Sequence, residues 1–521
     1  MNDMTLPIRT LAIAAALLVT GCTVGPDYHG APEVAGEALR AGGTFAHAGE
    51  GVEAHAPGVA RWWTALGDAQ LTALIDDAIA RSPDIRAAQA KVRQSRASLR
   101  SHQADLLPKA GVDLTMVRTR SPDLSLLGGQ TGEDGGNRGG GGGRGPLDLY
   151  LAGFDASWEI DLFGATRRAV EAASADADAA SEDLADAHVQ LAAEVAQTYV
   201  ALRDQQARLA LVRDSAQLEG EMLDLTRQRR AGGVASELDV ERLVTQVEQT
   251  QSRVLPLEAD VIESLDQLAL LTGRAPGALD AALKAPKTLP SVPAKVAIGD
   301  PSALLQARPD IRAAERRLAS QNAQIGVQTA NWFPKLSLMG ELGYSALDPG
   351  HLVRKENFSW MAMPRLQWNV LDFGRTQAGV DGAKAGRDQA QAKYESTVLG
   401  ALRDADVALA RYGHQRENVY RLRSVEASAT RAATLTRQRY RAGTASTLDW
   451  LDAERTRFSA EQDRVAGDAQ LLKSFVTLQK ALGLGWQVGP ETTHMSDTSD
   501  TSQVPASAAP SPVPSQGPAG V

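Results

Sequence analysis

The sequence predicts a mostly α-helical protein, built from two copies of one unit, with a small β-barrel region of the membrane type. Three observations support this fold class. Residues 225–239 and 435–449 are one stretch carried twice, with ten of fifteen positions identical at an offset of 210 residues. Aromatic residues are only 5% of the chain while alanine is abundant, which favours closely packed helices. Four segments of about ten residues alternate apolar and polar side chains, the pattern of strands with one apolar face.

Composition argues against several classes of protein. The net charge of −9 does not suit a nucleic-acid binder, which needs a basic face. Cys22 is the only cysteine, so neither a disulfide framework nor a cysteine-based metal site is available. The histidines are scattered, and acidic pairs such as Asp176 and Asp178 or Glu182 and Asp183 lie on predicted long helices, where a solvated face is expected. We therefore expect no enzyme, no catalytic residue and no metal site.

The N-terminus has the features of an export signal. Arg9 precedes an apolar run, Leu11–Val19, that is too short to span a membrane but suits a signal peptide. The run ends in Val-Thr-Gly-Cys22, which resembles a bacterial lipobox, whose cysteine is lipidated and becomes the first mature residue. The alternative is a plain signal peptide that happens to contain a cysteine. Thr23, rather than aspartate, follows the cysteine and favours the outer membrane.

The first copy begins with two short helices, near residues 67–81 and 85–104, followed by a strand at about 110–120. A glycine-dominated stretch, 128–145, is interpreted as an exposed loop because it lacks the ending and the helix of a phosphate-binding loop. Alternation resumes at 147–160 but shifts phase after Gly153, which predicts a β-bulge there.

A very long helix and a helical hairpin follow these strands. Between Ala165 and Arg230 the only glycine is Gly220, which predicts a helix roughly 100 Å long. Gly233 then ends this helix in a left-handed conformation and Ser236 caps the next one. That second helix is predicted from about 236 to 272, with a kink at Pro256.

The chain then repeats the unit. Residues 308–314 repeat 82–88, and Pro334-Lys335 repeats Pro108-Lys109, at an offset of 226, whereas Trp368–Gly374 repeats Trp158–Gly164 at 210. The change in offset means that the first copy has sixteen extra residues between its strands, which the glycine stretch supplies. The predicted second-copy strands are 335–346 and 357–370. The predicted segments are a signal peptide (1–21), a lipidated extended strap (22–66), the first repeat (67–273 with its tip at 230–239), an equatorial linker (274–306), the second repeat (307–487 with its tip at 440–449) and a disordered tail (488–521).

The four strands do not suffice for a closed barrel. Their length and alternation are those of outer-membrane strands, and open edges in lipid would leave unsatisfied backbone groups. Two alternatives remain: the strands form a periplasmic sheet, or several chains pool their strands.

With these features the sequence resembles the TolC/NodT family of outer-membrane efflux lipoproteins over nearly all of residues 22–487. The resemblance rests on Cys22 followed by VGPDY, Arg308-Pro309-Asp310, residues 331–338 (NWFPKLSL), residues 370–375 (VLDFGR) and residues 440–444 (YRAGT). These motifs are modest singly but specific in this order and spacing.

The resemblance implies a homotrimer in outer-membrane lipid, in which twelve pooled strands form one β-barrel above a hollow periplasmic α-barrel of twelve helices. The hairpin tips close the periplasmic end, and a periplasmic adaptor (membrane fusion protein) opens it. An inner-membrane transporter, usually of the RND class, delivers drugs or other small molecules to this passive duct. The only attached group expected is the N-terminal lipid on Cys22, and no cofactor is expected. The alternative cargo is a secreted protein or a metal cation.

The resemblance also assigns roles at the tips. Two acidic residues six and nine positions after the second tip glycine, here Asp449 and Asp452, would form the periplasmic aperture. A spacing of three puts them on one helix face, although they could instead merely cap the helix. In the first tip the matching positions are Asp239 and Arg242.

Other tip residues are expected to dock the adaptor or to latch the tips. Two positions after the second tip glycine the family has an arginine, where this chain has Ala445, so the latch must differ. Tyr440 matches another latch position of the family, and the equivalent residue in the first tip is Arg230. The predicted docking residues are Gly233, Ser236, Asp239, Tyr440, Gly443 and Thr444.

Overall fold

Helices make up most of the chain, and two of them are 67 residues long. A computed structural model describes residues 23–34, 52–53, 61–119, 147–298 and 308–486. The helices are α1 (Ala69–Arg81), α2 (Pro83–Ala104), α3 (Ala165–Ala231), α4 (Glu237–Ser252), α5 (Val254–Leu271), α6 (Asp280–Leu283), α7 (Pro309–Thr329), α8 (Arg375–Arg441) and α9 (Thr447–Ala481). The strands are β1 (Val52–Glu53), β2 (Lys109–Thr119), β3 (Leu147–Ile160), β4 (Val296–Ala297), β5 (Lys335–Ala346) and β6 (Phe358–Gln367). The predicted fold class, mostly helical with a small β region, is confirmed.

Several sequence predictions fall outside this description. The signal peptide, Cys22, the glycine-rich stretch 128–145 and the tail 488–521 all lie outside the described residues. Among the helices in the described ranges, none combines the length and the apolar character needed to cross a membrane.

The duplication is visible in the order of elements, since α2, β2, β3, α3 and α4–α5 recur as α7, β5, β6, α8 and α9. The last pair differs: α9 is continuous, whereas α4 and α5 are separated at Arg253. The interruption lies three residues before Pro256, where the sequence predicted a kink. Proline lacks the N–H for the bond to the residue four positions earlier and clashes with that carbonyl. The helix therefore restarts so that Pro256 lies in the first turn of α5.

Four strands form one antiparallel sheet in the order β2-β3-β5-β6. The two copies meet at its centre, where β3 of the first copy pairs with β5 of the second. The edge strands are therefore β2, from the first copy, and β6, from the second.

The predicted β-bulge at Gly153 is wrong. The pairing of β3 runs without interruption on both sides, with Gly153 opposite Asp113 and Gly343. A Cβ placed on Gly343 would lie 2.6 Å from the Cα of Gly153, so the two backbones approach too closely for side chains. The shift in alternation has another cause. Leu149 and Leu151 lie on the opposite face from Phe154, so this end of β3 is apolar on both faces.

The two faces of the sheet differ in chemistry. On one face an apolar row crosses all four strands through Val112, Phe154, Leu342 and Trp360. All four side chains are exposed, Val112 and Trp360 to 74% and 73%. The adjacent row on the other face contains Asp155 and Glu341. The sheet therefore presents an uncovered apolar surface on one side, whereas the other side combines polar residues such as Asp155 and Glu341 with apolar ones such as Leu151 and Met361.

The helices that adjoin the sheet pack side by side in the same order as the strands they are connected to. The principal contacts of α3 near the sheet are with α2 and α7, and α7 in turn packs on α8. Towards the hairpin tips α3 packs on α4 and α5 on one side and on α9 on the other, and α9 packs on α8. First-copy elements (α2, α4 and α5) thus flank one side throughout, and α8 flanks the other.

The largest buried cluster lies between the part of the helices near the sheet and the part near the hairpin tips. Trp62 and Trp63, both 1% exposed, pack there against α1, α3, α8 and α9. Arg203 is buried against the Tyr199 ring of this cluster and donates to the carbonyls of Leu283 and Ala285. The Tyr199 hydroxyl donates to Asp68 at 2.8 Å, and burial raises the pKa of Tyr199 to about 12. This core packs the middle of α3 against the middle of α8 and the end of α9.

Candidate functional site

Both hairpin tips end their long helix in the same way. Gly233 and Gly443 have φ angles of 75° and 74°, in the left-handed region predicted from sequence. The following N–H groups, of Val234 and Thr444, bond back to the carbonyls of Arg229 and Arg439 at 2.8 and 2.9 Å. These bonds satisfy carbonyls at the helix end that would otherwise lack partners.

Both tips also begin their next helix in the same way. The carboxylate of Asp239 accepts bonds from the N–H and hydroxyl of Ser236, and Asp449 does the same with Ser446. The serine hydroxyls in turn accept the aspartate N–H groups, so each pair forms a capping box. The backbone N–H and the hydroxyl of Ser446 lower the pKa of Asp449.

The two predicted aperture residues therefore differ in their surroundings. Asp449 is held by its cap, as is Asp239 in the first tip. Asp452 lies one turn further along α9 with an exposed side chain, and its carboxylate has no partner among the residues that the structure describes. Both residues lie on the first two turns of α9, and among the described residues only the Asp449 carboxylate is hydrogen-bonded.

A contact that the sequence did not reveal joins the two hairpins. Nη1 of Arg229 donates to the Tyr440 hydroxyl at 2.9 Å, and the guanidinium lies 5.1 Å from the centre of the Tyr440 ring. The Tyr440 ring in turn stacks on Trp450 with a centroid distance of 5.0 Å. Arg230, the repeat equivalent of Tyr440, forms an ion pair with Glu237 of its own hairpin instead.

Trp450 connects this tie to an apolar cluster between the hairpins. It is 7% exposed and packs with Leu451 against Met222, Leu223, Val240, Leu243 and Val247 of the first hairpin. Its Nε1 donates to Glu454, which also accepts from Arg457. Two signals in the sequence could have indicated this site: Trp450 stands where the first copy has Val240, and Arg229 is kept in both copies.

The predicted docking residues lie around the outside of the tips. Gly233, Ser236, Gly443 and Thr444 are exposed, whereas Asp239 and Tyr440 are half-buried. The first tip adds two exposed apolar side chains, Val234 and Leu238, of which Val234 is 74% exposed.

Near the sheet, residues 23–34, which are the described first part of the predicted strap, are held against α3 and α7. Arg168, whose side chain is 4% exposed, donates to the carbonyls of Val24 and Gly25 and to Asp27 at 2.6 Å. A Cβ on Gly25 would lie 2.4 Å from the Cα of Gly326, so the strap crosses α7 in direct backbone contact.

The start of the strap lies at the junction between the sheet and α3. The Val24 N–H donates to the Phe163 carbonyl at 3.1 Å, and Thr23 contacts Gly164. Residues 23 and 24 therefore lie at this junction. The sequence did not single out Arg168.

The chain is similar to known proteins over most of its length. The family model described as outer membrane efflux protein matches residues 74–274 and 301–484. The chain is 32% identical to outer membrane protein OprJ of Pseudomonas aeruginosa, over 92% of this chain and 96% of that protein. It is 31% identical to the toluene efflux pump outer membrane protein TtgC of Pseudomonas putida, over 93% and 96%. Among solved structures, the outer-membrane channel OprN matches with a TM-score of 0.76 and 32% identity, over 90% of this chain and all of that one.

Proposed function

The chain belongs to the outer membrane efflux protein family, and from this premise we propose that it is the passive exit duct of a tripartite efflux pump. It is an outer-membrane efflux channel with a large helical part in the periplasm. The observation that carries the proposal is the sheet, whose uncovered apolar face and more polar opposite face suit a wall between lipid and water. The duct conducts and does not catalyse.

We propose that three copies assemble. In the described part of the chain the outer edges of β2 and β6 have no partner strand, and unpaired backbone groups in lipid cost several kcal/mol each. Four strands are too few to close a barrel, whereas three copies would supply twelve. The number three comes from the family resemblance. A ring is supported because the outer strands, β2 and β6, and the outer helices, α2 and α8, lie on corresponding sides of the chain.

The cargo is proposed to be small apolar or amphipathic molecules, including drugs. Relatives carry the names of an antibiotic efflux pump and a toluene efflux pump. The partners would be a periplasmic adaptor, which engages the tips around Gly233 and Gly443, and an inner-membrane transporter of the RND class.

The closed state is proposed to be held by Arg229, Tyr440 and Trp450. Arg229 of the first hairpin donates to Tyr440 of the second at 2.9 Å, and within the second hairpin the Tyr440 ring stacks on Trp450 at 5.0 Å. Ala445 carries no group that could replace these contacts. Adaptor binding would open the duct by separating the hairpins. Asp449 and Asp452 of three copies would then line a ring that favours cations.

The strap is proposed to place a lipid anchor at the foot of the sheet. Arg168 and Gly326 contact residues 24 and 25, and Val24 bonds to Phe163 at the strand ends, which is where we propose that the strap directs a lipid carried by the N-terminal cysteine. A diacylated cysteine would then enter the leaflet that the strands also reach.

An export assay tests the function directly. A strain without its own outer-membrane channels should receive this chain together with the adaptor and transporter encoded beside it. Accumulation of a fluorescent efflux dye should fall only when all three are present. Unchanged accumulation with all three proteins folded and in place would contradict the proposal.

A further inference from the structure

A pocket of about 480 Å³ lies where α9 ends and α7 begins, between the long helices α3 and α8. Its polar lining includes Asp186 of α3, Arg411 of α8 and Lys480 of α9. Its apolar lining includes Val407 and Ala481. The volume is in the range of sites for small molecules. The four helices belong to one chain, so the pocket is formed within each copy.

Two ion pairs in this pocket are already satisfied. Arg308 joins the two helix ends, because its Nη1 donates to the Ala481 carbonyl at 2.5 Å and its Nε and Nη2 donate to the Asp310 carboxylate at 3.0 and 2.6 Å. The Asp404 carboxylate pairs with Arg403 at 2.6 Å. These four charged side chains compensate one another in pairs.

Three other charged side chains lack such compensation. Neither Lys480 nor Arg411 has an ion-pair partner among the residues that the structure describes. The Asp186 carboxylate accepts a hydrogen bond at 3.4 Å from Gln190, whose amide is neutral. Burial, and after it the Asp310 carboxylate, raises the pKa of Asp186, so its negative charge is poorly stabilised. The pocket therefore offers two cationic groups and one carboxylate to a ligand.

The two cationic groups are specific to the second copy of the repeat. At the offset of 210, Lys480 corresponds to Leu270 and Arg411 to Ala201. The first copy nevertheless forms the same junction, where Gly273, just after α5, lies against the start of α2. Packing of the helix ends therefore does not require the charges, which points to a role towards a ligand.

The pocket opens on the face of α3 opposite to α1 and α6. Tyr199 donates to Asp68, directly before α1, and Arg203 donates to a carbonyl of α6. Gln190 and Gln197, which line the pocket, lie on the other side of α3 from Tyr199 at 3.6 residues per turn. In the proposed ring, α1 and α6 of three copies would block the bore if they lay inside it. The pocket therefore faces the lumen.

We propose that this pocket is a weak binding site in the duct wall for amphipathic zwitterions, small molecules with an apolar body and a head that carries an ammonium and a carboxylate group. Lys480 and Arg411 bind the ligand carboxylate, and Asp186 binds its ammonium group. Val407 and Ala481 contact the apolar body. The site is weak because passage requires that a bound molecule also leaves. The inference rests on the proposed duct and narrows its cargo.

Three probes with the same fluorescent body test this charge pattern. Nε-dansyl-lysine carries an ammonium and a carboxylate group, dansylcadaverine carries the ammonium group alone, and dansylglycine carries the carboxylate alone. Each is titrated into the purified full chain in detergent, and dansyl fluorescence measures binding. Dansyl-lysine should bind about tenfold more tightly than either singly charged probe. Equal affinities, or no binding of dansyl-lysine, would overturn the proposal.

Substitutions by the residues of the first copy locate the site. Lys480→Leu and Arg411→Ala should each weaken dansyl-lysine binding about tenfold, and Asp186→Asn should remove its advantage over dansylglycine. Lys480→Gln, which keeps a polar side chain, should act like Lys480→Leu if the latter folds poorly. Lys473→Leu is the matched control, because Lys473 lies two turns earlier on the same face of α9 and outside the pocket lining. Equal weakening by Lys473→Leu, or none by the Lys480 variants, would put the probe elsewhere and overturn the site.

The export assay separates this site from the proposed function. Reduced dye accumulation by a protein that does not prefer dansyl-lysine would overturn the pocket and leave the duct standing. Preferred binding of dansyl-lysine by a protein that exports no dye with its two partners would support the pocket and overturn the duct.

Discussion

Arg229 and Tyr440 lie 211 residues apart in the chain, yet the guanidinium of one donates to the hydroxyl of the other at 2.9 Å. This bond joins the two hairpin tips directly. The Tyr440 ring carries the connection on to Trp450, with which it stacks.

We predict that Arg229→Ala makes the tip leaky. A hydrogen bond from a charged donor contributes about 1.5 kcal/mol or more, and 1.4 kcal/mol corresponds to roughly a tenfold change in an equilibrium. The ratio of open to closed tips should rise by about that factor, seen as more frequent openings in bilayer recordings. Arg230→Ala is the matched control, because Arg230 pairs within its own hairpin. Equal openings in both variants would contradict the tie.

Trp450→Ala should loosen the packing of the two hairpins against each other. Truncating a buried aromatic residue typically costs about 3–5 kcal/mol, and Trp450 is buried in the cluster with Leu243 and Val247. Hydrogen exchange should therefore accelerate across residues 218–251 as well as around residue 450. Trp450→Phe keeps an aromatic ring and should have a much smaller effect. Acceleration confined to the second hairpin would contradict packing between the tips.

Asp452→Asn should reduce cation selectivity without changing the stability of the tip, because its carboxylate is exposed and unbonded in the part of the chain described. Asp449→Ala should reduce selectivity and also loosen the start of α9, since it removes the bonds to Ser446. Reversal potentials in a salt gradient measure the first effect, and hydrogen exchange measures the second. Unchanged reversal potentials in a variant that carries both substitutions would refute the assignment of Asp449 and Asp452 to the aperture.

The caps should respond to acid in a defined direction. Bonds from Ser446 lower the pKa of Asp449 in the folded protein below its ordinary value. A carboxyl group whose pKa is lower in the folded than in the unfolded protein stabilises the fold at any pH above its unfolded-state pKa. This stabilisation is lost as the pH falls through the folded-state pKa. Protection of the amides at 446–449 should therefore be constant at neutral pH and decrease below about pH 4. Asp239 should behave alike, because Ser236 lowers its pKa. Protection that increases on acidification would contradict this sign.

Much of this fold could be predicted because its signals are local or repeated. The long helices follow from uninterrupted helical sequence, and the tips follow from Gly233 and Gly443 with their serine caps. The failures have physical reasons. The phase shift at Gly153 was interpreted as a bulge because alternation does not show that both faces of that strand end are apolar. Arg229, Trp450 and Arg168 were missed because their partners lie far away in the chain, and no local pattern shows how hairpins or the strap come together.

The strap contact gives a further prediction. Gly326→Ala should release residues 24–27, since a Cβ there would lie 2.9 Å from the Val24 carbonyl oxygen and 2.7 Å from Arg168. Protease sensitivity of the mature N-terminus should increase while the hairpin tips keep their hydrogen-exchange protection. Gly382→Ala, on α8 with no atom within 4 Å of the added carbon, is the matched control. Equal sensitivity in both variants would contradict a strap held by α7.

The central claim is that this chain forms an outer-membrane duct closed at its periplasmic tips. Single-channel recording of the purified protein in a planar lipid bilayer tests it most directly. We predict discrete, cation-selective steps of low conductance, with openings that become more frequent when Arg229 is replaced by alanine. A correctly folded protein that inserts but conducts no ions, with or without that substitution, would contradict the claim.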